Sequence, residues 1–199
     1  MEAGATRRDL VRSGVGIAAA GSLVVRAASA AAAVSATAAE TQALSYALQT
    51  ERLSVIAYRQ VLATNVLTPG VVPQLRMLMS QDLQHVAKLE QVLTQMGAGV
   101  PQGPVGVTGA QAMLGEHGVH RSLTAFQNQH DCLKLLIDAE SLTEGAYFKG
   151  IPELQSPALV RLSTAILGSD AQHWAVLSGI QHHGDLTMSV PYPFVQGSP

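Results

Sequence analysis

The segments "SQDLQHVAKL", from Ser80, and "SDAQHWAVL", from Ser169, carry the same chemistry twice: an acid, then an imidazole three residues on. Residues three apart share one face of a helix, so Asp82 projects with His85, and Asp170 with His173. Leu78, Leu89, Ile166 and Leu177 flank these pairs and put them beside an apolar stripe. Ionisable groups on an inward face are costly unless they are paired or bind a cation. Two more acids recur in matching contexts, Glu51 in "ALQTERLSVIAYRQ" and Glu140 in "LIDAESLTEGAYFK". Carboxylates are hard oxygen donors able to bridge two cations, and a neutral imidazole completes the shell of each. Oxygen-rich sites with one or two histidines suit iron or manganese.

Four helices are needed to position these six residues. Apolar residues at helical spacing run from Glu40 towards Asn65, with a turn at Thr68 to Gly70, and again from Val72 to Met96, where Gly97 ends the run. A Gly-rich stretch without sustained period follows. It reads as a long crossover, with a short helix near Gln111 to Leu114. Ser122 is the expected cap of a third helix that runs to Lys149 and stops at Gly150. Ser156 and Pro157 begin a fourth, which ends near His183 and Gly184. Glu51 and Glu140 are 89 residues apart, and Asp82 and Asp170 are 88 apart. The chain is thus a duplicated helical hairpin, and the expected fold is all-α: an antiparallel four-helix bundle over residues 40–184 with a long connection between helices two and three.

One Glu on each of helices one and three, with acid-x-x-His on helices two and four, resembles the ferritin-like di-metal carboxylate family. The resemblance covers roughly Glu40 to Gly184 and looks nearest to the exported ferritin-like bundle proteins of bacteria. It implies a centre of two iron or manganese ions held by Glu51, Asp82, His85, Glu140, Asp170 and His173, with oxygen or peroxide as the reacting partner. The family pattern has Glu-x-x-His, whereas this chain has Asp in both places, shorter by about 1.5 Å. Closer helices, an intervening water, different metals or a degenerate site are the outcomes this leaves open. Glu144, one turn after Glu140, is a candidate extra ligand. Tyr58 and Tyr147, each seven residues beyond a Glu, could hydrogen-bond the ligand carboxylates. Gln84 and Gln172 should point sideways, and His117, His120, His130, His182 and His183 read as surface residues. Catalytic residues are not assigned. The competing readings are an iron-storage cage and a non-enzymatic bundle of the cell envelope.

At 199 residues the chain suits one domain, and it has 12 basic against 14 acidic residues. No basic cluster lies outside the N-terminus, which leaves nucleic-acid binding without an electrostatic footprint. Residues 1–30 read as an export leader: Arg7 and Arg8, a short apolar run, then Ala28-Ser29-Ala30, resembling a Tat-type signal. The run is too short and too rich in Gly and Ala for a convincing membrane span. Residues 31–39 read as an Ala-rich linker, and 185–199 as a Pro-rich tail packed as an extended strap. The expected destination is the periplasm, the cell envelope or the exterior. Cys132, the single cysteine, reads as a buried small residue. Monomer and homo-oligomer both remain open.

Overall fold

The computed structural model of the protein describes residues 37–190. The leader expected over 1–30, most of the linker and the tail from 191 onwards lie outside them. Six helices follow in order: α1 (Ala38–Leu62), α2 (Val72–Gln95), α3 (Gly106–Glu116), α4 (Gln129–Gly150), α5 (Pro157–Gln181) and the single turn α6 (Leu186–Ser189). There is no strand among the described residues. No helix there is long and apolar enough to cross a membrane.

Local chemistry explains where the long helices begin and end. Thr37 caps α1 through a reciprocal box with Glu40, so Ala38 and Ala39 form its first turn rather than a linker. The other oxygen of Glu40 accepts from the backbone N–H groups of Gln155 and Ser156, tying the start of α1 to the start of α5. These bonds, that from the Thr37 N–H foremost, hold the Glu40 carboxyl below the usual range. Ser156 does stand at the cap of α5, but its side chain makes no capping bond, and Glu40 serves there instead. At the end of α2, Gly97 takes φ +70° and the Ala98 N–H returns to the Leu93 carbonyl. That reversal needs a residue at ease with positive φ.

Two further expectations change. The cap of α4 is Asn128, whose side chain accepts from the Asp131 N–H. Ser122 instead closes a local turn on the Thr124 N–H. Leu123 is fully buried, with its N–H bonded to the Gln111 side chain, and this loop packing prevails over an earlier helix start. Gly150 is the last residue of α4, where the helix was expected to stop. A Cβ there would lie 3.2 Å from the Cβ of Ala43, so the glycine permits close approach of α1 and α4. The strap expected from residue 185 begins instead with α6, capped by Asp185.

Helix α1 packs on α2 and α4, and α4 packs on α5, whereas α2 and α5 scarcely approach each other through their backbones. The crossover carries α3, longer than expected, which lays Ala110, Met113 and Leu114 against the bundle. Arg52 fastens that crossover by donating to the carbonyls of Pro101 and Gly103 and pairing with Glu90 at 2.8 Å. The apolar interior falls into two clusters. One holds Leu53, Tyr58, Leu75, Leu78, Leu136 and Leu177; the other holds Leu44, Leu48, Leu89, Leu93, Tyr147 and Ile166. Cys132 lies buried in the first. The two clusters leave a polar layer at mid-bundle.

Candidate metal centre

Each helix delivers its polar residues to that layer through its period. Glu51, Ser54 and Tyr58 share the buried face of α1, and Glu140, Thr143 and Tyr147 share that of α4. Asp82 with His85 comes from α2, and Asp170 with His173 from α5. All six ligand-type residues converge. Donor atoms of Glu51, Asp82, His85 and Asp170 lie within 4.8 Å of one another, and so do those of Asp82, Glu140, Asp170 and His173. Asp82 and Asp170 belong to both groups. Their short side chains are therefore no obstacle to a shared position. Glu144 is buried but stands outside both groups, so its expected role as an extra ligand finds no support in their geometry.

The two halves are related by a pseudo-twofold axis across the bundle. His85 Nδ1 is 3.4 Å from an Asp170 oxygen and 3.4 Å from a Glu51 oxygen. Its counterpart, His173 Nδ1, is 3.1 Å from Asp82 and 3.4 Å from Glu140. The imidazole rings are near parallel, their centroids 6.0 Å apart. The tyrosines cross over: Tyr58 donates to Glu140 at 2.6 Å, and Tyr147 to Glu51 at 2.9 Å. Ser54 and Thr143, counterparts in the repeat, meet each other at 3.2 Å.

Despite these short separations, eight buried donor atoms have no hydrogen-bond partner. They are one oxygen each of Glu51 and Glu140, both oxygens of Asp82 and Asp170, and Nδ1 of both histidines. They crowd together without the alignment of hydrogen bonds. Octahedral donors about 2.1 Å from one cation stand about 3 Å from each other, close to the spacing here. Buried groups left unpaired in this way are rare and ask for an ion or water. The donor set, four carboxylates and two imidazoles, could hold a metal ion.

The metal-free electrostatics reflect the crowding. Burial, with neighbouring carboxylates adding to it, raises Glu51 and Asp82 to about 7 and Asp170 to about 8. Burial by itself would hold the imidazoles down. The facing carboxylates outweigh it and lift His85 to about 10 and His173 to about 11. Burial also pushes both tyrosine hydroxyls well up, so they stay protonated donors.

The sequence profile of the ferritin-like domain family matches residues 39–183. The chain belongs to that family. Neither a curated protein nor a solved structure matches it significantly. Within the ferritin-like bundle, Gln84 and Gln172 bond back to the Ser80 and Gly168 carbonyls of their own helices, as expected of sideways residues. The glutamine that does reach the centre is Gln81, whose Oε1 lies 2.6 Å from His173 Nε2. It stands one turn before His85, and that spacing was the signal available in the sequence. His117 is exposed and bonds Tyr46 at 2.8 Å, away from the centre.

Proposed function

We propose that the chain binds two iron or manganese ions at this centre and supports oxygen- or peroxide-linked redox chemistry or the oxidation of ferrous iron. The observation that carries the proposal is the set of eight buried, unpartnered donor atoms on six residues, which form two groups sharing Asp82 and Asp170. Glu51 and His85 would serve one ion, Glu140 and His173 the other, and the two aspartates both. The ions, when bound, supply the capacity to exchange electrons with oxygen or peroxide.

The chain's own residues set the terms. Tyr147 holds one oxygen of Glu51 and leaves the other 3.4 Å from His85 Nδ1, while Tyr58 bonds the same Glu140 oxygen that lies 3.4 Å from His173 Nδ1. The Nδ1 protons that His85 and His173 carry in the metal-free protein must leave before those nitrogens can coordinate, so loading releases protons. The two apolar clusters wall the layer off from solvent at both ends of the bundle. The alternative, a cell-envelope bundle without metal, would leave the same eight atoms buried to no purpose.

Metal content per chain after anaerobic loading with Fe(II) or Mn(II) is the deciding measurement. Two ions per chain are expected in the wild type and fewer in Glu51→Ala and His173→Ala. Oxygen uptake and peroxide decay, compared across the same proteins, test turnover. A wild-type protein that keeps no metal would sink the proposal. Arg7, Arg8 and the Ala28-Ser29-Ala30 pattern support a Tat-type exit from the cytoplasm. Retention inside the cell of an Arg7→Lys/Arg8→Lys double variant is the matching test.

A further inference from the structure

The pseudo-twofold relation fails at one pair of positions next to the centre. Gln81 on α2 and Ser169 on α5 are counterparts, 88 residues apart. Gln81 reaches across to α5, and its Oε1 accepts from the Nε2–H of His173 at 2.6 Å. Ser169 does not return the gesture. Its Oγ lies 3.5 Å from Nε2 of the same His173, on its own helix. His173 therefore has two polar neighbours behind it, while Nε2 of His85 has no partner among the described residues. Exposure follows the same division, with the His173 side chain 1% exposed and that of His85 13%.

The bond to Gln81 has two consequences for His173. It keeps a proton on Nε2, so that Nδ1, on the side of Asp82 and Glu140, is the nitrogen that can coordinate once its own proton has left. It also fixes the ring plane. An imidazole held from behind in this way is a better ligand, and loss of such a partner typically costs about 10–100-fold in metal affinity. His85 has no such support, and its outer edge is open to water.

From this we infer that Gln81 is a positioning residue that makes the centre unequal: the half formed by Glu140 and His173 binds its ion first and retains it, and the half formed by Glu51 and His85 is the exchangeable one. This inference rests on the metal-binding reading above, but it adds an order of loading that the doubled sequence does not imply. The water-facing edge of His85 makes that half the route by which ions or small oxidants come and go.

The test is anaerobic titration of the metal-free full chain with Mn(II), followed by calorimetry and by electron paramagnetic resonance, which separates lone from coupled ions. The wild type should bind a first equivalent at least about tenfold more tightly than the second. Gln81→Leu should weaken the first step by about 10–100-fold and leave the second nearly unchanged. Gln81→Glu keeps an acceptor for Nε2–H and should restore the tight step. His85→Ala should retain one ion at close to the tight affinity, whereas His173→Ala should retain only the weaker site. Two wild-type equivalents of indistinguishable affinity, or an unaltered first step in Gln81→Leu, would overturn the inference while leaving the metal centre standing. Absence of any bound Mn(II) or Fe(II) in the wild type would overturn both.

Discussion

Replacing Asp82 with Asn should make the metal-free protein more stable and the metal-treated protein less so. Asp82 is fully buried, and neither of its oxygens has a hydrogen-bond partner. Its carboxyl titrates at about 7 instead of 3.8, burial being the main cause and the charge of Glu140 the next. Ionising it inside the fold at pH 8 therefore costs about 4 kcal/mol relative to the unfolded chain. Asparagine removes that cost but buries an amide in its place, at about 1–3 kcal/mol. A net gain on the order of 1–3 kcal/mol remains. For a domain of this size 1 kcal/mol moves Tm by about 2–4 °C, so the metal-free variant should melt several degrees higher. Metal reverses the ranking. An ion at 100 times its Kd stabilises the wild type by about 2.7 kcal/mol. Because Asp82 belongs to both donor groups, the variant should lose that gain at both positions. The assay is a pair of melting curves at pH 8, with and without Mn(II), for wild type and Asp82→Asn. A metal-free variant that melts below metal-free wild type would refute the reasoning, as would a variant that keeps the full metal-dependent rise.

The metal-free protein should lose stability as pH rises. Glu51, Asp82 and Asp170 are raised to about 7–8 and the two histidines to about 10–11, so the folded chain holds more protons than the unfolded one. The stability carried by the protonated carboxyls fades from about pH 4 to 8, and that of the imidazolium groups from 6.5 through 10–11. Tm measured from pH 5 to 9 in a chelator should fall throughout, and a rise over that range would count against the buried cluster. Tyr147→Phe removes the donor to Glu51 and should cost about 1.5–3 kcal/mol in denaturant unfolding, with weaker metal binding in the Glu51 half; an unchanged midpoint would argue that the hydroxyl is idle. Arg52→Ala frees the crossover from α1 and Glu90 and should cost about 1–2 kcal/mol. Faster amide exchange near Pro101–Gly103 with unaltered metal content is the expected signature.

Much of the centre was legible because helix periodicity alone decides which residues face together. The spacing of Asp82 with His85, of Asp170 with His173, and of Glu51 with Tyr58 fixed their common faces before any packing was known. What periodicity could not supply was distance between helices. Tyr58 is two turns from Glu51 and cannot reach it. That it bonds Glu140 instead follows from the antiparallel offset of α1 and α4, a tertiary quantity. Gln81 was missed for the same reason: its reach to α5 depends on how far apart the helices stand, and its unlike counterpart Ser169 hid it from the repeat. Glu144 shares a buried face with Glu140 but lies outside both donor groups, and a shared face by itself does not set the distance to the centre. At the start of α4, Ser122 and Asn128 are both good caps, and only the burial of Leu123 chooses between them.

The contact between Ser54 and Thr143 joins two positions that are images of one another. Such positions can touch only where a rotation axis passes between them, which is the signature of an isologous contact. Each hairpin of this chain thus carries a surface fitted to a near-copy of itself. One hairpin brings one glutamate, one aspartate, one histidine and one tyrosine to the centre, half of what the intact bundle assembles. A pair of identical hairpins, never joined by a crossover, would meet the same geometric requirement. The connecting segment with α3 then keeps together two pieces that already match, and it frees each to diverge, as Gln81 and Ser169 have done.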